Sequence, residues 1–225
     1  MPDWAGPVFR YVLENGGPFT LKIAGTAVVG CAVVGTVLGT LLTIRFLPLR
    51  ALIRLYIEVW RGLPLIVTLF LIVFALPQTT FHLTFRPWIG AAIGLTLWGS
   101  AQVAEATRGA VESIPREQHE AASALGFGWV KRHAFVVLPQ AMRRLLPPLV
   151  SLLVNVIQNT TLAALVGVTE ILFAAKQQVE RLAAPPPAGQ LQQHGFAIYG
   201  AMLVFFFVIS FPLTRLAAYL ERRLV

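Results

Sequence analysis

Residues 23–44 form a run of 22 apolar, small or hydroxyl-bearing side chains without a single charge, from Ile23 to Ile44. About 20 helical residues cross the hydrocarbon core of a bilayer. There, every backbone polar group must find its partner inside the segment. Such a run dictates a membrane-spanning helix, and several more apolar runs follow it. Only 12% of the residues are charged and the mean hydropathy is +0.72, where soluble domains carry roughly 25% charged residues. A water-soluble fold is excluded in favour of a multi-pass, all-α membrane protein.

Five spans are expected, at about 23–44, 52–76, 87–104, 145–169 and 196–214. The first contains Gly30, Gly35 and Gly39, the last two in a GxxxG step that lets helices approach closely. The second is awkward, because Arg54, Glu58 and Arg61 precede its apolar half, Leu63 to Leu76. Trp88 suits an interfacial anchor at the start of the third. Pro64 and Pro212 can kink the second and fifth. Residues 1–225 are expected to form one transmembrane domain.

A net charge of +8 would suggest nucleic acid in a soluble protein. Here no nucleic acid is expected, because Lys and Arg gather in the cytoplasmic loops of membrane proteins. With the N-terminus outside, the inner segments hold Arg45, Arg50, Arg54, Arg108, Arg116, Lys131, Arg132, Arg143, Arg144, Arg215, Arg222 and Arg223. The outer ones hold Arg10, Lys22, Arg86, Lys176 and Arg181. This asymmetry predicts N-out and C-in. The lone Cys31 lies inside an apolar run, so no internal disulfide forms and a packing role is expected. The first apolar run is too long for a cleavable signal peptide and is expected to remain as a span.

The connections differ in kind. Pro77 to Arg86 reads as a short outer loop, and Arg181 to His194, with Pro185, Pro186 and Pro187, as a stiff polar outer linker. The inner segment, about 105–148, is too long for a turn. Pro115 suits a helix start, Glu117 and Glu120 complement the dipole of its early turns, and Ala121, Ala122 and Ala124 favour helix. Gly126 suits a left-handed stop. A second short helix, Trp129 to Val137, is expected to end at Pro139. A small-residue helical knob of this kind fits a partner's groove; a merely structured loop is the alternative.

Glu120-Ala121-Ala122, then Gly126, then Val136, Leu138 and Pro139 resemble the EAA loop of ABC importer permeases, with Val136 replacing the usual Ile. In that family the loop couples the permease to its ATPase, which assigns coupling to Glu120, Ala121, Ala122, Gly126, Leu138 and Pro139. Tyr56-Ile57-Glu58-Val59-Trp60-Arg61-Gly62-Leu63-Pro64, Ala104-Glu105 with Arg108-Gly109, and Ser113-Ile114-Pro115 are similar to stretches of the polar amino acid subfamily. The resemblance implies a type I transmembrane domain in the bacterial cytoplasmic membrane. It also implies a separate ATPase dimer, a second permease subunit (identical or related) and an extracytoplasmic binding protein. No cofactor is expected on this chain, ATP and Mg being held by the ATPase. An opine, a compatible solute or a sulfur compound remains an alternative cargo.

Glu58 with Arg61, and Glu105 with Arg108, stand three residues apart on one helix face and are expected as structural ion pairs, with gating as the alternative role. Asn155, Gln158 and Asn159 share a face of the fourth span, with Thr160 and Thr161 beside them. They serve either as interhelical hydrogen-bond glue or as the lining of a translocation path. The subfamily often has Lys-Asp at the place of Gln158-Asn159, so an uncharged path is expected here. His82, His119, His133 and His194 lack metal-ligand spacing, and no metal site is expected. Neither HExxH, GxSxG nor a Gly-rich phosphate loop ending in Lys-Ser or Lys-Thr occurs. A membrane enzyme is therefore disfavoured, no catalytic residue is expected, and ATP hydrolysis is expected elsewhere.

Overall fold

The computed structural model describes residues 4–44, 46–79, 83–182 and 189–224, with no side-chain description at 189–193. Arg45, His82 and the Pro185–Pro187 run lie outside the described residues. All regular structure among those described is helical: α1 (Ala5–Tyr11), α2 (Gly17–Leu41), α3 (Leu47–Gly62), α4 (Leu65–Phe70), α5 (Pro87–Glu112), α6 (Arg116–Ala124), α7 (Trp129–Arg132), α8 (Leu138–Asn159), α9 (Ile171–Leu182) and α10 (Gly189–Leu224). Single π turns at Val12–Gly16, Leu71–Ala75 and His133–Val137 and 3-10 segments at Leu76–Gln78 and Thr160–Val166 link or extend them.

By length and composition, Ala5–Leu41, Trp129–Val166 and His194–Leu224 can each cross a membrane, and Leu47–Gly62 with Leu65–Gln78 adds a fourth if the broken pair is one span. The expected third span, α5, is long enough at 26 residues but is not among these apolar helices. Its composition follows from its surroundings. Ala91, Leu95, Ser100, Ala101, Val103 and Ala104 are all fully buried, and a helix shielded from lipid is selected for close packing rather than for hydropathy.

Several expected boundaries are corrected. The helical stretch that holds the expected first span runs from Ala5 to Leu41. The expected continuous span at 52–76 is broken. Leu63 is extended, at φ −82° and ψ 136°, because a residue before proline is pushed out of the α region. Arg54, Glu58 and Arg61 thereby belong to a separate amphipathic helix that begins at Leu47. The third helix continues past Ala104 to Glu112, held by ion pairs of Arg108 with Glu105 and Glu112 along one face.

Pro139 does not stop the helix as expected. The Leu138 N–H bonds to the His133 carbonyl in a π turn, shifting the ladder by one residue just before the proline, so its missing N–H falls where the register is already changing. The fourth stretch therefore starts well before 145, and its end tightens to 3-10 geometry from Thr160. The fifth helix runs from Gly189 to Leu224 through Pro212, beyond the expected 196–214. Arg181 lies in the last turn of α9 and His194 in α10, and residues 183–188 of the expected linker lie outside the described residues.

Backbone contacts divide the chain into two interleaved compact units: Met1–Ala27, Leu65–Leu95 and Val156–Phe211 make the first, and Val28–Pro64, Thr96–Asn155 and Pro212–Val225 the second. In the first unit, Val8 and Val12 pack on Ile171, Ala174, Ala175 and Val179 of α9 and on Ile198 and Met202 of α10. The second holds two clusters: Ala110, Val111 and Ile114 against Val137, Ala141 and Leu145, and Ile53 and Ile57 of α3 against Leu42 and Ala104.

Also in the second unit, α2 lies close against α5. A Cβ at Gly35 would meet Val103 and the Ser100 carbonyl, and one at Gly39 would stand 2.3 Å from the Ala104 carbonyl oxygen. Cys31 is fully buried in the same seam, its thiol 3.8 Å from the Thr96 carbonyl oxygen.

Candidate functional site

The EAA segment folds into a capped helical hairpin. Helix α6 follows Pro115 and carries Glu117 in its first turn. It ends with Gly126 in the left-handed region at φ 78°. There the Gly126 N–H donates to the Ser123 carbonyl (2.9 Å) and the Phe127 N–H to the Ala122 carbonyl (3.0 Å). This pair of bonds satisfies the last carbonyls of the helix and demands a residue that tolerates positive φ. Arg132 donates to the Ser123 hydroxyl at 2.8 Å, and Gln140 to Gln118 at 3.3 Å, tying α6 to the following helices.

The motif residues divide between support and surface. Ala122 is buried and Leu138 half-buried, while Glu120, Ala121, Gly126 and Pro139 are exposed. Between them the fold presents three large apolar side chains that the motif does not name: Leu125 (75% exposed), Val130 (71%) and Phe135 (70%). Periodicity could not single them out, because they stand on a helix C-cap, a four-residue helix and a π turn. His133 is not a surface residue: it is buried, stacked on Trp129 at 4.0 Å, with one ring nitrogen 2.9 Å from the Trp129 carbonyl and the other 3.3 Å from the Thr43 hydroxyl.

The charged residues form a network rather than two independent pairs. Arg108 binds both carboxylate oxygens of Glu105, at 2.6 and 3.2 Å, and also pairs with Glu112. Glu58 and Arg61 do not pair. Arg61 reaches instead towards α5, with its Nε 3.3 Å from the Gln102 side-chain oxygen and a terminal nitrogen 3.9 Å from Glu105. The Tyr56 hydroxyl lies 2.7 Å from that of Ser100. Arg61, Gln102, Glu105, Ser113, Arg144 and Glu221 stand on the wall of one cavity of about 1080 Å³, lined entirely by the second unit.

The residues expected along a path are not one surface. Asn155 and Gln158 are exposed and Asn159 half-buried. Thr160 is fully buried, and its hydroxyl donates to the Ile157 carbonyl at 2.7 Å. Thr161 donates to the Gln158 carbonyl at 2.9 Å. The change to 3-10 geometry at Thr160 rotates these threonines off the α-helical face. The Gln158 amide donates to the Ser210 hydroxyl at 3.0 Å, a contact across to α10.

One buried carboxylate escaped the sequence reading. Glu170 is fully buried and caps α9, accepting the Leu172 and Phe173 N–H groups at 2.9 and 2.8 Å. The Thr20 hydroxyl accepts the Ile171 N–H at 3.1 Å, and Gly16 lies directly against this turn. An acidic residue just before an apolar helix was the available signal. Among the described residues no group of His, Cys, Asp and Glu is arranged to hold a metal ion.

Comparison with known proteins places this arrangement. The fold matches the crystal structure of an amino acid ABC transporter with histidines at a TM-score of 0.81, with 24% identity and 99% of both chains covered. The glutamine transport system permease protein GlnP of Escherichia coli K12 is 32% identical over 224 residues, covering 99% of this chain and 97% of GlnP. The inner membrane amino-acid ABC transporter permease protein YhdY of the same organism is 32% identical over 210 residues, covering 93% of this chain but only 55% of YhdY. Residues 33–225 match the family described as binding-protein-dependent transport system inner membrane component, and the chain belongs to that family.

Proposed function

We propose that this chain is the permease subunit of an ATP-binding cassette importer that moves a polar amino acid across the bacterial cytoplasmic membrane. The observation that carries the reading is the capped hairpin at 116–137. It holds the EAA spacing on a rigid support and exposes Leu125, Val130 and Phe135 beside the motif. Exposed apolar side chains clustered on an ordered polar segment mark an interaction surface. The occupant is an ATPase subunit, which carries ATP and Mg. The names of the relatives support amino acid cargo.

The topology is five spans, N-out and C-in, with α5 as the shielded third span. All Lys and Arg residues expected inside fall in the second compact unit, and all five expected outside fall in the first. That partition of charge agrees with the positive-inside tendency. A second permease completes the pathway and an extracytoplasmic binding protein supplies it. ATP-driven closure of the ATPases moves the hairpin and switches access between two states.

The test is co-purification from detergent with the ATPase encoded nearest this gene, wild type beside Gly126→Pro and Glu120→Lys. Retention by wild type and loss by variants that still insert supports coupling. Equal retention by all three, or none by wild type, rejects it.

A further inference from the structure

Helix α3 (Leu47–Gly62) carries three different rows of side chains. Ile53 and Ile57 are buried in one cluster with Leu42 and Ala104. On one side of them Arg50, Arg54, Glu58 and Arg61, at helical spacing, make a charged row. On the other side, beyond Tyr56, Leu52, Leu55 and Val59 make an apolar row, and all three are exposed. Arg54 is exposed and Arg50 half-buried, and neither makes a side-chain hydrogen bond or ion pair among the described residues.

The contacts with α5 fix how this helix lies. The Tyr56 hydroxyl stands 3.4 Å from the Leu97 carbonyl oxygen and 2.7 Å from the Ser100 hydroxyl. One residue on, and about 100° round the helix, Ile57 shares its cluster with Ala104. Further round in the same sense, Arg61 reaches Gln102 and Glu105. Position along α5 therefore follows the angle around α3 rather than the distance along it. Helices that run side by side advance together; this pattern needs a steep crossing. A helix that steeply crosses a spanning one lies in the plane of the bilayer. The charged row of α3 then faces the Glu112 end of α5, the inner end in the N-out topology, and the apolar row faces the hydrocarbon. Amphipathic helices with that division lie in the membrane interface, their apolar face in the acyl boundary.

We propose that α3 is an in-plane helix that binds anionic phospholipid of the inner leaflet. The lipid phosphate sits on Arg50 and Arg54, and an acyl chain lies along Leu52, Leu55 and Val59. The two arginines are one turn apart on one face, so both can meet a single headgroup. Their planar forks match phosphate oxygens, and their long stems cover apolar surface while the charged heads reach water. Glu58 stands a turn further on, which leaves the basic pair at the Leu47 end of the row. A second copy of this chain would bring the same net charge of +8 to the row, whereas an anionic headgroup neutralises it. The choice of leaflet rests on the N-out orientation; the headgroup site does not, and neither needs amino acid cargo.

The experiment uses the complex as it purifies from membranes, reconstituted in nanodiscs. Leu52→Cys, Leu55→Cys and Val59→Cys each carry a bimane label, and the native Cys31, fully buried, stays unlabelled. Quenching is read with phosphatidylglycerol or phosphatidylcholine, brominated near the headgroup or near the chain end. All three labels are expected to be quenched most by the same bromine position. A helix along the membrane normal would separate the Leu52 and Val59 labels by about 10 Å in depth, at about 1.5 Å per residue. That result overturns the in-plane assignment.

At the Leu55 label, phosphatidylglycerol is expected to be preferred by about fivefold for each arginine, the worth of a basic residue beside an anionic surface. Arg54→Gln alone should lose about fivefold of that preference, and Arg50→Gln with Arg54→Gln should remove it. Quenching by phosphatidylcholine stays the same throughout, which shows that the variants keep their fold. The exposed single substitution decides the matter if the double variant does not assemble. Equal quenching of wild type by the two lipids, or a preference that survives the substitutions, overturns the headgroup site. Absence of quenching by either lipid overturns it as well, since protein such as a second permease subunit then covers the face.

Discussion

The α-carbon of Gly39 faces Ala104 so closely that an added methyl group would stand 2.3 Å from the Ala104 carbonyl oxygen. The obstacle is backbone, on a helix that is itself buried, so no side-chain rotation can relieve it. Gly25, on the same helix, has nothing within 4 Å of its position. Gly39→Ala is expected to destabilise the folded protein by about 1–3 kcal/mol, the usual cost of overpacking. Gly25→Ala should be neutral or slightly stabilising, since alanine is the better helix former. Thermal unfolding in detergent, followed by size-exclusion chromatography, compares them. Equal melting of the two variants would contradict the close seam.

Leu125 and Phe135 are expected to carry much of the ATPase contact, because large apolar side chains at the centre of an interface dominate its energy. Leu125→Asp and Phe135→Asp should each weaken ATPase binding by more than about 1 kcal/mol, or roughly fivefold. Insertion should be unaffected, as both side chains are exposed in the isolated chain. Microscale binding of purified ATPase to the permease in nanodiscs reads the effect. Wild-type affinity in both variants would place the contact elsewhere.

Gln158 and Ser210 share a hydrogen bond of 3.0 Å. If that bond is only glue, Gln158→Ala and Ser210→Ala lower stability alike, by about 0.6 kcal/mol on the average for such bonds in membranes. Because the Gln158 side chain belongs to an exposed residue, the expected outcome is different. Gln158→Ala should reduce uptake by roughly 2–10-fold, the worth of about 0.5–1.5 kcal/mol per neutral hydrogen bond, while Ser210→Ala leaves uptake near wild type. Assembly with the ATPase should be normal in both. Identical uptake in the two variants would return Gln158 to a structural role.

Glu170 sits outside the long apolar helices, and burial pushes its carboxyl up from the usual 4.5 to about 7, against the pull of two N–H donors. A carboxyl raised on folding binds its proton more tightly in the folded state. Its contribution therefore weakens the fold as pH rises from about 4.5 to about 7 and is level beyond that window. Wild type is expected to lose melting temperature between pH 5 and pH 7 relative to Glu170→Gln, which cannot ionise (both pH values bracket the window at roughly its ends). Glu170→Ala should be less stable than Glu170→Gln throughout by about 1 kcal/mol, the usual worth of a helix cap. Parallel pH profiles of wild type and Glu170→Gln would show that the carboxyl does not titrate in this range.

The chain alone determined that the protein is helical and lies in a membrane, because an uncharged run such as Ile23 to Ile44 has only one way to satisfy its backbone in hydrocarbon. It also determined the first arm of the hairpin at 116–137. The stop at Gly126 is local, depending on a residue that accepts φ 78° and on bonds to carbonyls a few positions back.

What the chain could not determine lies where neighbours override local preference. Pro139 looked like a stop and is not one, because a π turn absorbs it. Arg61 and Glu58 share a helix face, yet Arg61 turns to Gln102 and Glu105, 41 and 44 residues further along the chain. Helical spacing says which side chains can meet on one helix; it carries nothing about which second helix lies opposite. Thr160 and Glu170 are buried by the same kind of distant packing. Tertiary structure alone decided which charges pair and which remain loosely held on a cavity wall.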